Sequence, residues 1–135
     1  MLKDQVKYYF IDETRSCSES VFRACNDEYS FGFAPPQINV AAGFSGGMFC
    51  QNACGALTAS IMALSMLFTE HDSAHDSPVL KEAAAHFVSR FTEVFGGTLC
   101  SELTPKWKKE GERCLALVQK CADLLEEVIA QYKQN

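Results

Sequence analysis

The sequence predicts an all-α protein, a helical bundle of five or six helices with a buried central helix. Three observations predict it. Apolar residues recur at spacings of three and four along most of the chain, no stretch alternates apolar and polar residues as a strand does, and helix-start and helix-stop residues punctuate the whole. With 135 residues, 47% of them apolar, a single domain over residues 1–135 is expected. A chain of this length buries roughly two-thirds of the surface its unfolded form exposes, so it needs no metal or disulfide merely to fold. Thiol or metal chemistry, if present, would serve function.

Taken in order, a first helix is expected from about Lys3 to Asp12. Ser16 with Glu19 three residues on makes a capping box, which opens a helix from Cys17 to about Tyr29 and puts Cys17 in its first turn. Phe31 to Pro36 reads as a turn and Gln37 to Ala42 as one or two helical turns. Gly43, Gly46 and Gly47 form a flexible link into the central helix, about Met48 to Thr69, on which Cys50 and Cys54 would share a face one turn apart. No charged residue occurs between Glu28 and Glu70, so Met48 to Phe68 is long enough to cross a bilayer. Gln51, Asn52, Thr58, Ser60 and Ser65, and flanks without anchoring Lys or Arg, argue against a membrane span. The small residues Gly55, Ala56, Ala59 and Ala63 instead suit close packing inside a bundle.

His71 to Ser77 is polar, and Ser77-Pro78 is a helix start with proline at the first helical position. The helix Pro78 to Phe95 carries an apolar stripe at Leu80, Ala84, Phe87, Val88, Phe91 and Phe95, and Gly96-Gly97 ends it. Cys100 falls in the short connection that follows. The last helix, about Glu110 to Tyr132, places Cys114 and Cys121 on the core side one heptad apart.

Charge excludes a non-specific nucleic-acid binder, because 12 basic residues against 17 acidic give a formal net charge of −5. The one basic cluster, Lys106, Lys108 and Lys109 around Trp107, reads as a solvated loop. His71-Asp72 and His75-Asp76 would make a transition-metal pair on a helix, but their polar surroundings favour a solvated loop. His86 reads as a partly exposed or satisfied bundle histidine, and no Ser-His-Asp arrangement emerges.

The seven cysteines, Cys17, Cys25, Cys50, Cys54, Cys100, Cys114 and Cys121, are the anomaly. Met1 to Phe10 has neither an apolar core nor a cleavage-like site, so a reducing, cytoplasmic setting is expected, where surplus cysteines point to metal or redox chemistry. No Cys-x-x-Cys occurs, so any thiol site must be assembled by the fold. Cys17, Cys54, Cys100 and Cys114 are the natural candidates, since helix starts and loops keep a thiol accessible and a helix N-terminus favours its thiolate. Cys50 is ambiguous between an extra ligand, a disulfide partner and a buried thiol; Cys25 and Cys121 read as structural. Gly43, Gly46 and Gly47, with Gly55 beyond them, are candidate lining for a cofactor, presenting backbone amides to an anion or to cluster sulfides. The same glycines would equally serve as a hinge between two closely packed helices.

At these residues the sequence resembles the redox-active family named for the pattern C_GCAxxG_C_C, from about Cys17 to Ile129. Cys17 with Ser20-Val21, Ala42-Gly43-Phe44-Ser45-Gly46-Gly47-Met48, Cys54-Gly55-Ala56-Leu57-Thr58, Phe95-Gly96 leading to Cys100 and Glu102-Leu103, and Cys114 with Val118 and Leu124-Leu125-Glu126-Glu127 carry the likeness. The related region of split-Soret cytochromes is a weaker likeness. The sequence departs from the pattern in two places: Ala53 stands where a Gly often precedes the motif Cys, and Ala59 where the closing Gly usually stands. The resemblance implies a small helical redox protein whose four motif cysteines bind an iron-sulfur cluster or other metal, or undergo thiol oxidation. The expectation is therefore electron transfer through a cysteine-held iron-sulfur cluster, with an unidentified redox partner protein and a possible homodimer. The alternatives are zinc or no cofactor, a metal-free thiol-disulfide protein, and a non-catalytic helical interaction module.

Overall fold

The computed structural model describes residues 1–133. Helix α1 (Leu2–Lys7) runs on through a π-helical turn, Tyr8–Asp12. The capping box at α2 (Cys17–Glu28) forms as its sequence dictates: Ser16 Oγ accepts the Glu19 amide at 3.3 Å, and Glu19 Oε1 accepts the Ser16 amide at 3.1 Å. A turn leads to α3 (Pro35–Ile38) and a 3-10 segment, Asn39–Phe44. The longer helices follow: α4 (Gly55–Phe68), α5 (Pro78–Phe95), α6 (Cys100–Trp107) and α7 (Leu115–Lys133). With 74% of the residues helical and no strand among the described residues, the class is all-α. Among the described residues seven α-helices stand where the spacing predicted five or six: the helical turns expected at Gln37 to Ala42 are α3 and the 3-10 segment, and the eight residues of α6 are the addition.

Packing follows the apolar faces. α2 lies on α4, α1 on α7, and α5 on both α4 and α7. Phe10, Leu64, Phe87, Phe91, Leu117 and Leu125 are fully buried in one continuous cluster, each contributing on the order of 1.5–3 kcal/mol by leaving water. On α5 the predicted stripe holds except at Val88, which sits at its edge and is 37% exposed. α4 buries Gly55, Ala56, Ala59 and Ala63, whereas Met66 is 45% exposed, so its burial is one-sided rather than all round. No helix among the described residues is long and apolar enough to cross a membrane.

Several local expectations are corrected. The central helix starts at Gly55 rather than Met48, because residues 47–51 leave the right-handed helical conformation: Met48, Phe49 and Gln51 take positive φ, and the Asn52 amide turns back to Gly47 O at 2.9 Å. Cys50 therefore sits exposed in that turn and shares no helical face with Cys54. Cys100 begins a helix instead of lying in a connection, a helix that Pro105 near its end made hard to anticipate. The last helix begins at Leu115, five residues later than expected, after a turn in which Lys109 and Arg113 exchange backbone hydrogen bonds of 2.7 Å. Ser77 precedes α5 as predicted, but its hydroxyl is buried and accepts the Glu70 amide at 2.6 Å, tying the polar loop shut instead of capping the helix. Trp107 packs on Phe95 with ring centroids 5.1 Å apart, leaving Lys108 and Lys109 exposed around it.

Candidate functional site

The four cysteines singled out by sequence stand at the N-terminal ends of four different helices. Cys17 is the first residue of α2 and Cys100 the first of α6; Cys54 is the N-cap of α4. Cys114 directly precedes α7, and its carbonyl accepts the Val118 amide at 3.1 Å, the first bond of that helix. All four line one small cavity of about 20 Å³, together with Gly46, Gly47, Gly55, Leu103, Thr104 and Leu117. Four helix N-termini directed at one place favour negative charge there, whether thiolate or a bound anionic group.

Main-chain bonds hold the thiols in place. The Cys54 amide donates to Thr98 O at 2.8 Å and the Cys100 amide to Asn52 O at 2.6 Å, flanking an antiparallel bridge between Ala53 and Leu99. Around Cys17, Ser18 Oγ donates to Ala41 O at 2.8 Å, and Ser45 Oγ lies 2.7 Å from the capping hydroxyl of Ser16. Two glycines permit the close approach. A Cβ on Gly55 would stand 3.0 Å from Phe44 O and 3.1 Å from the Ser18 backbone. One on Gly47, whose φ is +65°, would stand 2.6 Å from both N and O of Asn52.

Burial controls the thiols electrostatically. It pushes the Cys54 thiol up to about 11, against the opposing pull of the Ala56 and Leu57 amides at the start of α4. Cys17 rises too, first from burial and then from its neighbours Cys54, Cys114 and Cys100. Cys114 is raised by burial and by Cys100, while Lys108 and Arg113 draw it down. Near neutral pH these groups are thiols, and a bound metal would have to displace their protons. Among the described residues no three His, Cys, Asp or Glu side chains form a group that could hold a metal ion.

The other predicted residues are placed as follows. Gly46, Gly47 and Gly55 line the cavity, whereas Gly43 is exposed in the 3-10 segment and is not among its walls. Cys50 points its thiol at Gly47 O, 3.5 Å away. Cys25 and Cys121 are fully buried in the core, Cys121 Sγ lying 3.4 Å from Ser60 Oγ, and all seven cysteines are unpaired. His71 and His75 are exposed in the polar loop, and His86 Nδ1 lies 3.2 Å from the Tyr132 hydroxyl. Two features escaped the sequence reading. Thr104 Oγ1 lies 3.4 Å from Cys100 Sγ, a spacing of four residues that would have been legible had α6 been expected. Arg113 and Lys108 flank the thiols from a turn with no periodic signal.

A protein of Archaeoglobus fulgidus described as "Uncharacterized protein" is 26% identical over 129 residues, a match covering 84% of each chain. No solved structure matches the chain. The family model described as "Putative redox-active protein (C_GCAxxG_C_C)" matches residues 15–128, a span that contains all four cavity-lining cysteines. The chain belongs to that family.

Proposed function

We propose that this protein transfers electrons through an iron-sulfur cluster held by Cys17, Cys54, Cys100 and Cys114. The observation that carries the reading is the convergence of four thiols, each at a helix N-terminus, on a single cavity. Four cysteine thiolates are the usual ligand set of such clusters, and the helix ends supply the positive potential that an anionic centre requires.

When bound, the cluster supplies one-electron redox chemistry. The chain's own residues hold it and limit water around it: Leu103 and Leu117 wall the cavity, and the Asn52–Cys54 and Thr98–Cys100 segments fix two ligands by backbone bonds.

The test is anaerobic purification with iron and acid-labile sulfide analysis, visible absorption, and electron paramagnetic resonance of the reduced protein. Iron and sulfide together are expected, lost in Cys17→Ala and Cys114→Ala but retained in Cys25→Ala. A preparation without iron, or iron that survives both Cys17→Ala and Cys114→Ala, overturns the proposal.

A further inference from the structure

Beside the thiol cavity lies a second, more open pocket of about 200 Å³. The two share Cys17, Gly46, Cys100, Thr104 and Cys114, so this vestibule opens onto the sulfurs from outside. Its remaining walls are Phe10, Ser16, Lys108 and Arg113. Both charged residues are cations and no carboxylate lines it, although the chain as a whole carries a net charge of −5. Among the described residues, neither Lys108 nor Arg113 takes part in an ion pair. Two unneutralised cations on one concave, hydroxyl-bearing wall of an acidic protein form a local reversal of sign.

Arg113 is held in advance. Its Nη1 donates to Arg15 O at 3.2 Å and its Nη2 to Phe10 O, while the guanidinium carbon stands 3.8 Å over the centre of the Phe10 ring. Its backbone adopts φ 53°, a left-handed conformation unfavourable for a residue with a side chain, pinned by the paired bonds to Lys109. Two of the guanidinium's five N–H donors meet those carbonyls; the geometry given by the fork leaves others for a ligand. Lys108, exposed on its stem, supplies a movable charge at the rim.

We infer that this vestibule binds a small inorganic oxyanion between Lys108 and Arg113, in contact with the thiol-bearing wall. The inference stands on the lining and charge of the pocket and does not require that iron be bound. It goes beyond the electron-transfer reading by assigning a small anion to the two cations of the vestibule, apart from any redox partner protein.

Isothermal titration calorimetry of the full chain, purified anaerobically, with sodium sulfate at constant ionic strength tests it. One sulfate per chain is expected, bound about tenfold more weakly by Lys108→Ala and not at all by Lys108→Glu. Lys109→Ala, which removes an adjacent exposed cation that does not line the pocket, should bind as the parent does. Unaltered melting temperatures verify that the exposed-site variants fold. No saturable binding, or equal weakening by Lys108→Ala and Lys109→Ala, overturns the inference. Iron content measured on the same samples separates this failure from that of the cluster: sulfate binding without iron refutes only the latter.

Discussion

Replacing Gly47 with alanine should cost about 3 kcal/mol and sharply reduce iron loading. Two effects add. At φ +65° a residue with a Cβ pays on the order of 1–2 kcal/mol for the left-handed conformation. The new methyl would also stand 2.6 Å from N and O and 2.9 Å from C of Asn52, which are backbone atoms and cannot swing aside. Overpacking of this kind costs typically 1–3 kcal/mol. The displaced residue matters, because Asn52 O accepts the Cys100 amide and the next two residues lead to Cys54. Gly46→Ala is the control: its φ is +56°, yet nothing lies within 4 Å of its Cβ position, so only the conformational cost of about 1 kcal/mol remains. Thermal melts followed by circular dichroism, with iron per chain after anaerobic reconstitution, read both effects. In a chain of this size 3 kcal/mol lowers the midpoint by roughly 10 °C. Equal melting losses and equal iron content in the two variants would refute the argument that the Asn52 contact joins the glycine turn to the cysteines.

Three further outcomes are expected. Ser16→Ala should lower stability by about 1–2 kcal/mol in urea titrations, since it removes the acceptor for the Glu19 amide, and Ser16→Asp should restore most of it. Cys121→Ala should cost about 1–2 kcal/mol through lost packing beside Ser60 yet leave iron per chain unchanged, because that sulfur is in the core and outside the cavity. In the metal-free protein, burial raises Cys25 and pushes Cys121 up to about 12 from an ordinary value of 9.0, so the folded state favours the neutral thiols. Their contribution is complete below pH 9 and is lost as pH rises toward 12; a urea midpoint that stays level from pH 8 to pH 11 would contradict this.

The readable parts of the fold were those governed by local chemistry. The Ser16/Glu19 capping box, the Pro78 start and Gly96 stop of α5, and the stripe through Leu80, Phe87, Phe91 and Phe95 all follow from neighbours a few residues apart, and all are present. What escaped depends on distant partners. The run from Met48 to Gln51 has helical composition, but the main chain there bends so that Asn52–Cys54 pairs with Thr98–Cys100, nearly fifty positions away. Likewise α6 carries Pro105 and is short, so its periodicity was too brief to register, and with it went the location of Cys100 at a helix start. The ligand candidates were legible as residue types and as a likeness to a known pattern; their meeting in one cavity required four helix ends to be packed together. Arg113 was invisible as a site residue because its place follows from a turn and from carbonyls on Arg15 and Phe10, about a hundred residues earlier.

The paired segments at 52–54 and 98–100 reach each other through amides and carbonyls alone. Such a fastening draws on none of the side chains of Ala53, Thr98 and Leu99, so exchanging those side chains, proline excepted, leaves the bonds that hold Cys54 and Cys100 in place. Alanine in place of the customary glycine before Cys54 is then one permitted spelling among many.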